Sequence, residues 1–176
     1  MNPFKEASKI EKRGMPAILD FIRSQSLNGQ FVTTEKGRLS KEIQKTIGDV
    51  IFNDAKHGKM WAVEVKCEQR NPKGNLFLET WSNKKRGNPG WLVKLKTDIL
   101  MYYFIEPELL IVLDFRKLVD WTYGKSRKGN QYRIQDYREV EQKKYDQKND
   151  TWGRLVAIND MVNEIGASIY RLGSSS

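Results

Sequence analysis

Residues 61–68, with the sequence WAVEVKCE, place the tightest constraint on how this chain folds. Their apolar side chains alternate with Glu64, Lys66 and Glu68. Because successive side chains of a β-strand point to opposite faces, the alternation predicts a strand whose apolar face packs against a core. The opposite face then holds a carboxylate and an amine side by side, which a purely structural strand has little reason to do.

A second apolar stretch, GDVIF at residues 48–52, carries Asp49 at its start. The polar residues 53–58 between the two stretches predict a turn, and therefore an antiparallel hairpin that brings Asp49 near Glu64. Carboxylate oxygens, a backbone carbonyl and waters suit Mg²⁺ or Mn²⁺. Such an ion beside the amine of Lys66 is suited to hydrolysing a phosphodiester bond.

The remaining apolar patterns predict a mixed α/β (α+β) fold, in which helices flank a central mixed sheet. A helix over residues 3–25 is expected to break or kink at Gly14 and Pro16. Further helices are predicted at residues 40–45, 92–104, 115–123 and 158–172. Further strands are predicted at residues 29–34, 76–80, 109–114 and 153–157. The polar residues 124–150 are expected to form a long hairpin or a loop over the substrate.

The length of 176 residues predicts a single domain over residues 1–176, with a core at about 16–114 and a C-terminal extension at about 115–173. The N-terminus has no signal-peptide pattern, and no apolar run approaches the ~20 residues of a membrane span. We therefore expect a cytoplasmic protein without a membrane partner. Cys67 is the single cysteine and His57 the single histidine, which argues against a disulfide, a zinc cluster and a histidine-based catalytic site.

The net charge of +9 favours an anionic partner, and nucleic acid before a membrane surface. Basic residues concentrate in two regions with Trp and Tyr among them, so that cations could neutralise phosphates while rings stack on bases. A solvated surface with its aromatic rings turned inward is the alternative. The two regions consist of Lys84, Lys85, Arg86, Lys94 and Lys96, and of Arg116, Lys117, Lys125, Arg127, Lys128 and Arg133.

The chain resembles the PD-(D/E)XK nuclease superfamily at these acidic and basic positions. The signature's first carboxylate falls on Asp49, its second on Glu64 and its lysine on Lys66, with Gly48 in place of a proline before the aspartate. The resemblance implies a restriction-endonuclease-like αβββαβ core and Mg²⁺ or Mn²⁺ as cofactor. It also implies that the main-chain carbonyl of Val65 is a further metal ligand.

Two more acidic residues are candidates for the site. The superfamily often carries an acid on its first helix, and among Glu6, Glu11 and Asp20 we favour Glu11, with a solvated surface acid as the alternative. Glu79 ends an apolar strand and could reach the metal. Residues 76–104 also look similar to small phage-type nucleases, and junction-resolvase and homing enzymes are comparable members.

The resemblance implies a Mg²⁺-dependent DNA endonuclease, with branched DNA such as a Holliday junction as one expected substrate. The alternatives are a sequence-specific homing or restriction-type endonuclease, a non-catalytic nucleic-acid-binding module that retains the fold, and a basic protein with an acidic protein partner. Because one site per chain cuts one strand, we expect a homodimer or a higher homo-oligomer.

Overall fold

Two β-sheets and four helices make up the structure, a computed structural model that describes residues 3–25, 32–33, 46–54, 57–123, 137–142 and 150–173. The strands are β1 (Val32–Thr33), β2 (Val50–Asp54), β3 (Lys59–Glu68), β4 (Asn75–Asn83), β5 (Asn88–Pro89), β6 (Ile99–Phe104), β7 (Leu109–Asp114), β8 (Glu139–Glu141), β9 (Trp152–Ala157) and β10 (Ser168–Arg171). The helices are α1 (Pro3–Ser24), α2 (Trp91–Lys94), α3 (Phe115–Tyr123) and α4 (Ile158–Ile165).

The larger sheet is mixed and has the strand order β1-β2-β3-β6-β7-β10. Strands β3 and β6 are parallel, and every other neighbouring pair in this sheet is antiparallel. The smaller sheet is antiparallel throughout, in the order β5-β4-β9-β8. The predicted α+β class with a mixed central sheet flanked by helices is confirmed. No helix in the described ranges is long and apolar enough to cross a membrane.

Both faces of the larger sheet are covered. On one face, α1 packs Ile18 and Ile22 against Val63 and Val65 of β3. On the other face, the smaller sheet together with α3 and α4 forms a second apolar cluster that includes Leu78. The central sheet therefore lies between two layers, and side chains on either face of its inner strands are removed from water.

The predicted hairpin of β2 and β3 is confirmed, with Val50 opposite Val63 and Asp54 opposite Lys59. The strands predicted at 76–80, 109–114 and 153–157 and the helix predicted at 115–123 are also present. Only two residues of the strand predicted at 29–34 are described as strand. Residues 40–45 and most of 124–150 lie outside the described part of the chain.

The predicted helix over residues 92–104 is wrong. Helix α2 has a single turn, and the chain then becomes extended and continues as β6. Strand β6 lies between β3 and β7 with a layer on each face, so all residues from Leu100 to Phe104 are buried. A strand covered on both faces reads as a continuous apolar run, whose spacing fits a helix equally well.

The predicted closing helix over residues 158–172 is wrong in its second half. Helix α4 ends at Gly166, which adopts the left-handed conformation and donates its N–H to the carbonyl of Val162. The chain then forms β10, which pairs with β7 and extends the larger sheet by one strand. The apolar residues beyond the helix therefore belong to a strand.

Helix α1 continues through Gly14 and Pro16, so the predicted break is wrong. Pro16 is exposed, and the carbonyl of Lys12 that loses its helical partner lies on the same solvent-facing side, where water can satisfy it. Gly14 is buried, and a methyl group at its Cα would lie 2.5 Å from Sγ of Cys67. The glycine thus allows close approach between α1 and β3.

We predict that Gly14→Ala destabilises the protein through this contact. Alanine gains about 1 kcal/mol of helix propensity, but overpacking costs about 1–3 kcal/mol. In a Cys67→Ala background much of the clash is gone, so the same change should stabilise. Urea denaturation of the wild type, the two single variants and the double variant checks this. The effects should be coupled by about 1 kcal/mol or more, and additive effects would contradict the packing argument.

Candidate active site

Asp49 is held at the start of the hairpin by two hydrogen bonds to β3. Its backbone N–H donates to the carbonyl of Val63 at 2.8 Å, and its Oδ2 accepts the N–H of Val65 at 2.9 Å. Gly48 precedes it at φ 126°, and a methyl group there would lie 2.6 Å from the carbonyl oxygen of Val63. Glycine is therefore required at 48, and the carboxylate of Asp49 is fixed with only 6% of the residue exposed.

Glu64 and Lys66 lie on one face of β3, and Nζ of Lys66 donates to Oε1 of Glu64. The prediction from strand alternation is thus confirmed for this pair. Their surroundings differ from expectation, because the second layer covers this face. The side chain of Glu64 is 6% exposed and that of Lys66 is 28% exposed.

Burial raises the pKa of Glu64 to about 7, and the negative charge of Asp49 adds to this effect while Lys66 opposes it. Burial also works against the charged form of Lys66, but the neighbouring Glu64 and Asp49 outweigh it and raise the pKa of the amine. The site therefore combines a permanently charged lysine with a carboxyl group that exchanges its proton near neutral pH.

The donor set fits a small, hard cation. In a β-strand the N–H and C=O of one residue point to the same side. The N–H of Val65 points to Asp49, so the carbonyl of Val65 points to the same side of the strand. This position lies just past the pair Val50 and Val63, where the pairing of β2 with β3 ends. Within the described ranges no group of three or more His, Cys, Asp or Glu side chains could hold a metal. Two carboxylates with a carbonyl and waters match the way proteins bind Mg²⁺.

Glu11 and Glu79 both line a cavity of about 230 Å³ that Lys66 also lines. Oε1 of Glu79 accepts the backbone N–H of Trp91 at 3.2 Å, so this acid supports the first residue of α2. Asp49 and Glu64 do not line the cavity. The structure thus brings Glu11 and Glu79 to the Lys66 side of the site, and neither joins Asp49 and Glu64 in one ligand group.

Sequence reasoning missed Tyr102 and Gln142 of this cavity, and it identified Trp91 only as one of the aromatic residues among the basic ones. The hydroxyl of Tyr102 donates to Oε1 of Glu68, which strand alternation places on the same face as Lys66. Parallel pairing of β3 with β6 puts Lys66 opposite Tyr102. No local sequence pattern predicts that these residues are neighbours, because they come from three parts of the chain: α2, β6 and the residue after β8.

Of the two residues that sequence reasoning set aside, Cys67 lines the same cavity as Lys66, and His57 does not. Burial raises the pKa of the Cys67 thiol to about 12, which keeps it protonated and unreactive. His57 lies at the other end of the β2–β3 hairpin from Asp49, and its Nδ1 lies 2.6 Å from Oδ2 of Asp54. Neither residue is placed to act as a nucleophile or base for the Asp49 site.

The first basic region lies at the tip of the smaller sheet. Lys84, Lys85 and Arg86 occupy the turn between β4 and β5, and Lys94 ends α2. Nζ of Lys84 bonds to Glu139 at 2.5 Å, so this residue is committed within the molecule. Lys85, Arg86 and Lys94 are exposed. Of the second region, Arg116 and Lys117 are exposed on α3, whereas Lys125, Arg127, Lys128 and Arg133 lie outside the described residues.

The chain has little similarity to known proteins. No protein-family model and no curated protein matches the chain. Among solved structures, the chain is similar to a bacterial homing endonuclease, I-Ssp6803I, with a TM-score of 0.39 and 20% identity over 64% of this chain and 69% of that chain. A likeness of that size carries no argument about function, which must therefore come from the site.

We predict that Glu64 makes the metal-free protein less stable as the pH rises. Its pKa of about 7 when folded exceeds the ordinary 4.5, so the folded state binds more protons between these values. In chelator, the free energy of unfolding of the wild type should therefore fall by up to about 3 kcal/mol relative to Glu64→Gln between pH 4.5 and 7.

The measurement is urea denaturation of both proteins at several pH values. The exposed Asp120→Asn variant serves as control and should follow the wild type. Parallel wild-type and Glu64→Gln profiles would contradict the assignment of a raised pKa to Glu64.

Proposed function

We propose that the protein is a metal-dependent DNA endonuclease that hydrolyses phosphodiester bonds. Its catalytic site would consist of Asp49, Glu64 and Lys66. The observation that carries the proposal is the burial of two carboxylates with one lysine at the open end of the β2–β3 hairpin. When both buried acids are ionised, their charge exceeds that of Lys66, and burial makes this state unfavourable unless a proton or a metal cation neutralises it.

Asp49, Glu64 and the carbonyl of Val65 would hold the divalent cation, Mg²⁺ or Mn²⁺. A bound ion would polarise the phosphate and lower the pKa of a water molecule. The Val65 N–H fixes the orientation of the Asp49 carboxylate, and the Lys66–Glu64 bond fixes that of Glu64. Both acids are therefore preorganised for a ligand role before substrate arrives.

Lys66 would act as a charged hydrogen-bond donor. Its raised pKa keeps the amine protonated, so it would orient the attacking water and offset the charge that develops on the phosphate rather than remove a proton. In the overall reaction, the oxygen of water bonds to phosphorus and the bond to one ester oxygen breaks. That ester oxygen takes up a proton released by the water and leaves as a hydroxyl group.

DNA would approach through the exposed cations of the smaller sheet. Lys85, Arg86 and Lys94 are exposed near α2, the helix whose Trp91 ring lies 5.8 Å from Nζ of Lys66. These cations can follow the phosphate backbone without reading sequence. The net charge of +9 supports the same partner. Branched DNA remains our preferred substrate, and a sequence-specific duplex is the alternative.

We predict that Asp49→Asn, Glu64→Gln and Lys66→Met each slow DNA cleavage by about 100-fold or more, because the first two remove a charged metal ligand and the third removes a cation beside the phosphate, at nearly constant side-chain size. The assay uses supercoiled plasmid together with junction, flap, nicked and linear DNA, in Mg²⁺, Mn²⁺ or chelator. Asp120→Asn is the matched control and should cut at the wild-type rate.

Binding of the same DNAs in chelator separates chemistry from affinity, and the three variants should bind as tightly as the wild type or more tightly. Wild-type cleavage rates for Asp49→Asn or Lys66→Met would refute the site. A wild type that binds DNA, cuts none of these substrates and takes up no Mg²⁺ or Mn²⁺ by calorimetry is instead a non-catalytic binding module.

We further propose that two copies act together on duplex or branched DNA, because each chain provides one candidate site. Light scattering on the eluting protein should give twice the mass of the chain, or a higher multiple. On supercoiled plasmid, the linear product should then appear without accumulation of nicked circles. A monomer that only nicks would contradict this arrangement and leave the single-strand chemistry intact.

A further inference from the structure

We propose that the cavity beside Lys66 binds a single unstacked nucleobase of the DNA substrate. The inference rests on the proposed function, since the base would belong to a nucleotide next to the cleaved phosphate. It goes further by assigning a binding site and a preferred kind of DNA: one with an unpaired base at the cut.

The position of the cavity fits one nucleotide. Its volume is about 230 Å³, and it is lined by Lys66, which lies on the same strand as the candidate catalytic acid Glu64. Nζ of Lys66 is 5.8 Å from the centroid of the Trp91 ring. The phosphate and the base of one nucleotide can therefore contact Lys66 and Trp91 at the same time. A phosphate at Lys66 would therefore place its base against Trp91.

The walls of the cavity suit a flat aromatic group. Trp91 and Phe77 both line it, from α2 and from β4. The Trp91 backbone N–H bonds to Glu79, and its ring packs against Phe115 with the ring centroids 6.4 Å apart. Trp91 is thus anchored on both its backbone and its ring, and a rigid ring loses little entropy when a base stacks on it.

The charge of the cavity excludes a phosphate as its occupant. Among the described residues that line it, Glu11, Glu68 and Glu79 are acidic, and the one basic residue, Lys66, is already bonded to Glu64. Three acids would repel a phosphate dianion and a sugar-phosphate backbone alike. The acids disfavour an anion and accept a neutral or cationic group, and an uncharged nucleobase meets that condition.

The polar lining selects among bases. A carboxylate only accepts hydrogen bonds, and an amide such as that of Gln142 both accepts and donates. Unpaired adenine, cytosine and guanine offer an exocyclic amino group with two N–H donors, whereas unpaired thymine offers a single imide N–H. We therefore expect an amino-bearing base to bind in preference to thymine.

Removing a base from the helical stack costs least where the base is already unpaired. A pocket of this kind therefore favours bulges, flaps and branch points over intact duplex. This gives a physical reason for structure-dependent cleavage without any base-pair reading in the grooves.

The test is a binding titration in chelator, which prevents metal-dependent cleavage. The probes are labelled duplexes of one sequence, either fully paired or with one bulged position that carries adenine, thymine or an abasic sugar. The wild type should bind the adenine bulge about fivefold or more tightly than the abasic bulge. Thymine should lie between the two.

Trp91→Ala should abolish the difference between adenine and abasic bulges while leaving affinity for the paired duplex unchanged. Gln142→Ala, which removes a half-buried side chain outside the apolar core, should reduce the preference for adenine over thymine. This second variant keeps the test decisive if Trp91→Ala fails to fold. Tyr123→Ala removes an exposed aromatic ring that does not line the cavity, and should behave as the wild type.

Equal wild-type affinity for adenine and abasic bulges would overturn the pocket, and so would a preference that survives both cavity variants. Neither binding result bears on whether the protein cuts plasmid DNA, so the endonuclease proposal would stand. Conversely, a preference for adenine that the cavity variants remove, in a protein that cuts no DNA, would support the pocket and refute the endonuclease.

Discussion

The rest of the site depends on the pair of hydrogen bonds between Asp49 and the neighbouring strand. The backbone of Asp49 binds Val63 and its carboxylate binds the N–H of Val65. These bonds join the start of β2 to the middle of β3, at the point where hairpin pairing ends. Only glycine at position 48 leaves room for the Val63 carbonyl oxygen, so the chain can come this close to β3. The two bonds thereby set the position of Asp49 relative to Glu64 and Lys66, which lie on either side of Val65.

The second layer changes the chemistry of this polar strand face. Without it, Glu64 and Lys66 would be an ordinary surface ion pair of little energetic consequence. Once covered, the carboxyl group and the amine interact in a medium that screens them poorly, and burial with Asp49 nearby raises the pKa of Glu64 to about 7. The same covering layer forms the cavity next to Lys66. The buried Glu64–Lys66 pair and its neighbouring pocket therefore have one structural origin.

Local patterns predicted well where one face of an element met water. The β2–β3 hairpin and α3 followed from alternation and from helical spacing. The patterns failed where both faces were covered. The apolar run of β6 has no polar side to reveal its period, and its spacing was misread as a helix. Gly14 was misread as a helix breaker because its role is a contact with Cys67, which is distant in the sequence.

By itself, the sequence determined which side chains share a strand face, because the period of two is a property of the backbone. It thereby determined that Glu64 stands beside Lys66 and that the hairpin turn returns Asp49 toward them. Only the tertiary structure decided that this face is buried and that Glu79, Trp91 and Gln142 border it. Those residues belong to the smaller sheet and to α2, and their approach depends on packing between layers, which no local pattern encodes.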